Sequence, residues 1–312
     1  MVAVLRRLAL ASIAANVTIV VTGGAVRLTD SGLGCPTWPR CTDASYTATA
    51  EMGVHGAIEF GNRLFTYVVG LVALAAFVAA WRRRPRRRSQ VLLAGAVLLG
   101  IPLQGVIGGI TVLTDLNPWV VGLHFLASIA MLAVAYALWR STGDPPATAS
   151  TVPPPLRPLV WLVAAASAAV LVVGTWVTGS GPHSGDHGAA RNGLDPETIS
   201  QVHADLVFLL LGLTVAAWFA FRATGLQAAA RAALVLLAVE LGQGLIGFVQ
   251  YFTDLPVVLV GAHMLGACLV WLATLSVLWT LHTTPAPEIP PTPEPRGTTP
   301  APHDELTPAP LP

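Results

Sequence analysis

The chain has 312 residues, of which 54% are hydrophobic and only 11% charged, against roughly 25% charged in an ordinary soluble domain. With a mean hydropathy of +0.66, this is the composition of a membrane protein. Its 17 basic residues, all arginine, face 16 acids for a net charge of +1, so no basic surface is left to hold a polyanion and nucleic-acid binding is excluded.

A bilayer core takes about 20 mostly apolar residues per span. Eight runs qualify, at residues 4–24, 57–81, 91–113, 118–139, 158–179, 201–221, 229–251 and 257–281. The first follows Arg6 and Arg7 and lacks a convincing small-residue cleavage pattern, so it reads as a retained helix rather than a signal peptide. The expected fold is an all-α integral membrane protein with eight transmembrane helices. After the first run comes the polar stretch TGGAVRLTDSGLGCPTWPRC, in which Cys35 and Cys41 are separated by five residues, two of them proline. They can form one local disulfide if the stretch faces an oxidising compartment. So short a loop predicts a strained and reducible bond, with a structural staple as the alternative.

Arginine clusters set the orientation, because cytoplasmic loops near span ends are enriched in basic residues. Arg6 and Arg7, the run from Arg82 to Arg88, Arg140 with Arg157, and Arg222 with Arg231 all fall on one side. That predicts a multi-pass protein of the cell membrane with both termini cytoplasmic and the cysteine loop outside. The arginine run itself reads as a topology signal only.

A proline-rich segment, GDPPATASTVPPP, separates four spans from four. The expected division is an N-terminal half at residues 1–142, a linker at 143–156, a C-terminal half at 157–282 and a disordered proline-rich tail at 283–312. The halves are repeats. LQGVIGGITVLTDLNPWVVGLH, ending at His124, matches GQGLIGFVQYFTDLPVVLVGAH, ending at His263, at a constant offset of 139 without a gap. More loosely, Val21-Thr22-Gly23 matches Val177-Thr178-Gly179. Repeats of four spans share one orientation, which predicts two pseudo-symmetric four-helix bundles side by side.

Histidines within spans need a reason, since ionisable groups there are costly. His124 and His263 occupy equivalent places about six residues into their helices, roughly 9 Å deep, and His203 lies near the same end of the sixth span. Two imidazoles at one level, from His203 and His263, describe a bis-histidine haem site in the C-terminal half. Zinc would want three or four ligands with carboxylate or thiolate help. The loop GPHSGDHG, with His183, Asp186 and His187, is the one candidate for that, a flexible polar loop being the alternative; Cys268 reads as a small buried residue. The N-terminal half departs from the symmetry. Its second span reads HGAIEFGNR, with Asn62 in the place corresponding to His203, and His55, Glu59 and Asn62 share a helix face at i, i+4, i+7. One firm axial ligand, His124, leaves an open iron position, which suits turnover. Glu59 at a span end suggests proton handling, or an ion pair with Arg63 or Arg27. The same histidines would serve a non-enzymatic di-haem cytochrome that transfers electrons, and the repeat alone would serve a transporter.

The cysteine loop, IEFGNR on span two and one histidine each on spans four, six and eight resemble haem A synthase, of an actinobacterial type. The resemblance covers residues 8–281. It implies an enzyme that oxidises the C8 methyl group of haem O to a formyl group, giving haem A for terminal oxidases. It implies haem b between His203 and His263, substrate haem on His124, Glu59 as a functional acid, and redox transfer through Cys35 and Cys41. His55, Asn62, Arg27 and Arg63 are the expected surroundings of the substrate haem, the two arginines as partners of haem propionates. The implied partners are haem O and haem A, the haem O synthase and oxidase assembly factors, an unidentified electron partner, and membrane lipid. Family members commonly have histidine where this chain has Asn62.

Overall fold

The computed structural model describes residues 2–143 and 152–282. Eight long helices carry the fold: α1 Val2–Leu28, α2 Gly53–Arg82, α3 Arg88–Leu113, α4 Pro118–Ser141, α5 Arg157–Ser180, α6 Pro196–Ala223, α7 Gln227–Phe252 and α8 Val257–Trp279. Each is long and apolar enough to cross a membrane, and there is no strand among the described residues. The helices outrun the apolar runs where polar residues start them. Asn117 caps α4 by accepting from the Trp119 amide at 3.0 Å, and Asp195 caps α6 by accepting from Thr198 at 2.8 Å. In both, a proline follows the cap, at a position where its missing N–H costs nothing. The bonds from Thr198 hold the Asp195 carboxyl below its usual range, so this cap persists in acid and is lost only as pH falls through the lowered value.

Within the first half, α1 packs on α2, α2 on α3, α3 on α4 and α4 back on α1; α5 to α8 close a second ring in the same order. The rings meet through α1–α8, α4–α5 and α4–α8. These contacts exchange into one another when the halves are swapped, which is the pseudo-twofold arrangement the repeat predicts. An apolar cluster at the seam includes Ile13, Ile129, Leu132, Leu171, Cys268 and Leu275, and the Trp271 indole crosses it to donate to the Ile129 carbonyl at 3.0 Å. Cys268 is fully buried with a free thiol.

The repeated Thr-Asp-Leu is a turn. Asp115 and Leu116 have φ of 51° and 58°, and Asp254 and Leu255 have 58° and 56°. Two successive left-handed residues reverse the chain while the leucine amide reaches back to the Thr111 or Gln250 carbonyl, each at 2.8 Å.

The ends of the bundles differ in chemistry, and are called here the loop end, with the cysteines, and the arginine end. At the arginine end Arg83 is buried and donates to Gln90, whose amide donates to the Ser141 carbonyl at 2.7 Å. One member of the arginine run therefore ties the α2–α3 turn to the end of α4, which its reading as a pure topology signal missed. Val152 lies in the core of the second bundle, so the expected linker is already docked from there on. Its residues 144–151 and the expected tail 283–312 lie outside the described residues.

Candidate functional site

Three histidines near the loop end sit against glycines. A Cβ at Gly108 would lie 3.4 Å from the His124 ring, one at Gly247 3.2 Å from the His263 ring, and one at Gly174 3.2 Å from the His203 ring. Gly108 and Gly247 are equivalent in the repeat, so the His124 and His263 rings are held in the same way on α3 and α7. His203 rests instead on α5, and it is close enough to His263 for the two to interact electrostatically. In all three rings Nδ1 is buried without a hydrogen-bond partner. An orphaned buried nitrogen ordinarily costs about 1–3 kcal/mol. Three of them at one end of a duplicated bundle fit imidazoles built to ligate metal, and each glycine lets its ring seat close against the neighbouring helix.

The equivalent glutamines steer two of these histidines. Gln243 donates directly to the His263 carbonyl at 2.8 Å, whereas Gln104 donates to Ser128 at 2.7 Å, and the Ser128 hydroxyl donates to the His124 carbonyl at 3.0 Å. The reason is local. Gly266 gives Gln243 its path, since a Cβ there would fall 1.7 Å from Gln243 Oε1; the first half has Ala127 at this place and uses Ser128 as a relay. Gly266→Ala is expected to displace Gln243 and destabilise the α7–α8 contact by about 1–3 kcal/mol, read as a lower thermal midpoint in detergent.

Asn62 faces α1. The Thr22 hydroxyl donates to Asn62 Oδ1 at 2.8 Å, which leaves the Asn62 amide hydrogens as donors. His203 meets α5 at Gly174, so contacts pair Thr22 with Gly174 rather than with Thr178, about one turn from the loose sequence match. The shared face of His55, Glu59 and Asn62 is real, but each has its own partner. His55 is exposed and bonds the Ser31 hydroxyl through Nδ1 at 2.9 Å.

Glu59 is 5% exposed and holds the cysteine loop. Its Oε2 accepts from the Cys35 amide at 2.5 Å, and its Oε1 pairs with Arg63 at 2.6 Å. Arg63 in turn donates to the carbonyls of Cys35, Thr37 and Arg40 at 2.9, 3.1 and 3.2 Å. Of the two arginines proposed as its ion-pair partner, Arg63 is the one. Cys35 and Cys41 are joined in a disulfide and fully buried. Gly34 allows this docking, because a Cβ there would lie 2.3 Å from the His55 carbonyl oxygen. Trp38 of the same loop lies on Gly109 of α3, where a Cβ would come within 2.3 Å of its ring. Gly109→Ala is expected to push Trp38 off and destabilise the fold by about 1–3 kcal/mol, read as a lower thermal midpoint in detergent. These tight glycines are sites that the sequence reading missed.

Arg27 is committed elsewhere, donating to the His183 and Thr178 carbonyls, each at 2.6 Å. The loop around His183 is thereby tied to α1, and His183 itself bonds the Leu255 carbonyl at 2.9 Å. Asp186 accepts from the Gly188 amide. Among the described residues no group of three or more His, Cys, Asp or Glu is placed to hold a metal ion; the bonds made by Arg27 and His183 make this loop a brace between the halves.

Fold and site together define an eight-helix membrane protein with two related but unequal histidine sites at one end. Residues 6–183 match the family described as COX15-CtaA, cytochrome oxidase assembly protein. The chain belongs to that family. Curated relatives that it resembles carry the name Heme A synthase, three of them as follows. The protein of Symbiobacterium thermophilum is 30% identical over 182 residues, covering 55% of this chain and 58% of its own length. That of Methylorubrum extorquens is 32% identical over 197 residues, covering 52% and 50%. That of Methylobacterium radiotolerans is 29% identical over 306 residues, covering 80% and 83%. In the first two, the chain spans only about half the length of the relative it matches.

Proposed function

We propose that the protein is a haem A synthase, a membrane oxidoreductase that converts the C8 methyl group of haem O to the formyl group of haem A for terminal oxidases. The inequality of the two halves carries this reading: His203 faces His263 in one, while the partner position of His124 in the other holds Asn62. On this reading residues 157–282 hold a resident haem b on His203 and His263, which supplies one-electron redox chemistry when bound. Residues 1–142 take the substrate, with His124 as its iron ligand. Asn62, turned by Thr22, offers amide hydrogens rather than a lone pair, so it leaves the second axial position open while placing a hydrogen-bond donor near it.

Overall the methyl carbon gives up four electrons and four protons and gains one oxygen (R–CH3 + H2O → R–CHO + 4 H+ + 4 e−), formally two successive hydroxylations and loss of water from the geminal diol. The electrons leave two at a time for an external electron acceptor that reoxidises the cysteine pair. Glu59 serves proton movement at Oε2, where the Cys35 amide donates. The disulfide beside it is suited to take up two electrons with two protons. Arg63 holds the cysteine loop over the site, all three of its nitrogens donating to Glu59 and to loop carbonyls, whereas Arg27 ties α1 to α5 and the following loop through Nε and Nη2 and keeps Nη1 for a haem propionate. The arginine end is cytoplasmic and the loop end faces outward across the cell membrane, in keeping with the one-sided arginines.

Asn62→His tests the assignment. With haem O bound, the variant is expected to change the substrate haem to six-coordinate low spin, as a histidine at this place in other family members would allow, while product is still formed. An unchanged spectrum would remove Asn62 from the iron's surroundings.

A further inference from the structure

Glu240, Gln243, Gly247 and Gln250 fall at i, i+3, i+7 and i+10 of α7 and so form one stripe along it. Three acceptor oxygens on this stripe are buried with no hydrogen-bond partner among the described residues: Glu240 Oε2, Gln243 Oε1 and Gln250 Oε1. The remaining oxygen of Glu240, a residue only 4% exposed, accepts from Thr214 of α6 at 2.9 Å. Gln243 is tied to the His263 carbonyl, and Gly247 packs on the His263 ring. The stripe thus begins at the loop end with Gln250, passes His263, and ends at Glu240, about 15 Å deeper. The equivalent places in the first half are Ile101, Gln104, Gly108 and Thr111, and the Thr111 hydroxyl is spent on the Gly108 carbonyl. At this place on the helix a buried carboxyl therefore belongs to the half with the histidine pair alone and is no remnant of duplication.

Three acceptors in file with no donor call for water, which supplies two hydrogens to each site and routinely satisfies such groups in protein interiors. A carboxyl group deep in a span is costly and ordinarily has a function. The helices packed on α7 bring few charges toward it. α6 carries Thr214, bonded to Glu240, and, nearer the loop end, His203 and the exposed Asp205; α8 carries His263, packed on Gly247, while its Cys268 lies in the seam cluster between the halves; Arg222 and Arg231 lie at the arginine end. The nearest group able to change charge is thus the histidine pair, about 10 Å along the helix axis from Glu240, a range over which a unit charge acts strongly in a low-dielectric interior.

We propose that the α7 stripe is a water-filled proton route from the loop end to Glu240, and that Glu240 takes up one proton when the haem on His203 and His263 gains an electron. The electron comes from a small-molecule reductant such as dithionite and the proton from water at the loop end; the carboxylate becomes a carboxylic acid, and reoxidation returns both. This rests on the haem assignment above.

The test is a redox titration of the purified haem-loaded protein, followed by visible and infrared spectra. In the wild type the reduced-minus-oxidised infrared spectrum is expected to show a carboxyl C=O band that shifts in D2O, and the haem midpoint potential to fall with rising pH. Glu240→Gln should lose the band and flatten the pH dependence. Thr214→Val should move the band's frequency, and Gln250→Leu should slow its exchange in D2O at least tenfold. A band that survives Glu240→Gln, or an equal pH slope in both proteins, overturns the role of Glu240. Unchanged exchange in Gln250→Leu overturns the route. Wild-type protein with no low-spin haem at all overturns the haem assignment instead, a result visible before any titration.

Discussion

Replacing Glu59 with alanine is expected to stop formyl-haem production while the low-spin spectrum of the His203–His263 site stays intact. The substitution removes the acceptor of the Cys35 amide and the partner of Arg63 in one step. Breaking a largely buried pair by deleting one partner costs about 3–5 kcal/mol; Arg63 is 22% exposed, which favours the lower end. That local cost falls on the cysteine loop and not on α6 or α8, so the second bundle should be spared. Glu59→Gln separates the two roles of the residue. It keeps an oxygen for the Cys35 amide but cannot carry a proton, so it should restore loop protection from thiol reductants and not turnover. Normal product yield from Glu59→Ala, measured by chromatography of extracted haems, would remove Glu59 from the mechanism.

Replacing His203 or His263 with alanine is expected to eliminate the low-spin haem spectrum of the purified protein altogether, whereas His124→Ala should leave that spectrum in place and abolish binding of haem O. The contrast follows from the packing. His203 and His263 come from two helices of one ring, and each is fixed by a glycine on a third and fourth helix, so neither has a substitute within reach of the same level. His124 belongs to the other ring and shares only the seam with them. Retention of a low-spin haem in both His203→Ala and His263→Ala would contradict the axial pairing.

Most of the fold was legible because a bilayer imposes a length on every span and a duplication writes itself twice. Each of the eight runs falls on one helix, the last running two residues past α8 into the turn Thr280–His282; the gap-free match ending at His124 and His263 predicts equal depths, and its matched Gly108 and Gly247 cradle the two rings alike. The Asn62 departure was also visible, since residues at equivalent places can be compared without coordinates. Contacts made through small residues were not visible. Nothing in GLGC or GGIT shows that Gly34 admits the His55 carbonyl or that Gly109 receives Trp38, because a glycine's neighbour across space has no signature in its own segment. The same holds for arginines. Arg27 and Arg63 looked equivalent as partners for Glu59 or for propionates, yet i, i+4 spacing gives Arg63 to Glu59 and leaves Arg27 to the loop carbonyls of the other half. The α7 stripe was hidden for a different reason: its acceptors become conspicuous only once their lack of donors is known.

On the proposed reading the unequal halves carry out chemistry on one haem while retaining another. The most direct test is chromatography and mass analysis of haems extracted from the protein purified from cells that make haem O but no haem A of their own. Haem b together with haem A or its hydroxylated precursor is the predicted result. Haem b alone, in protein that has both bundles intact, would contradict the account and leave a cytochrome that only transfers electrons.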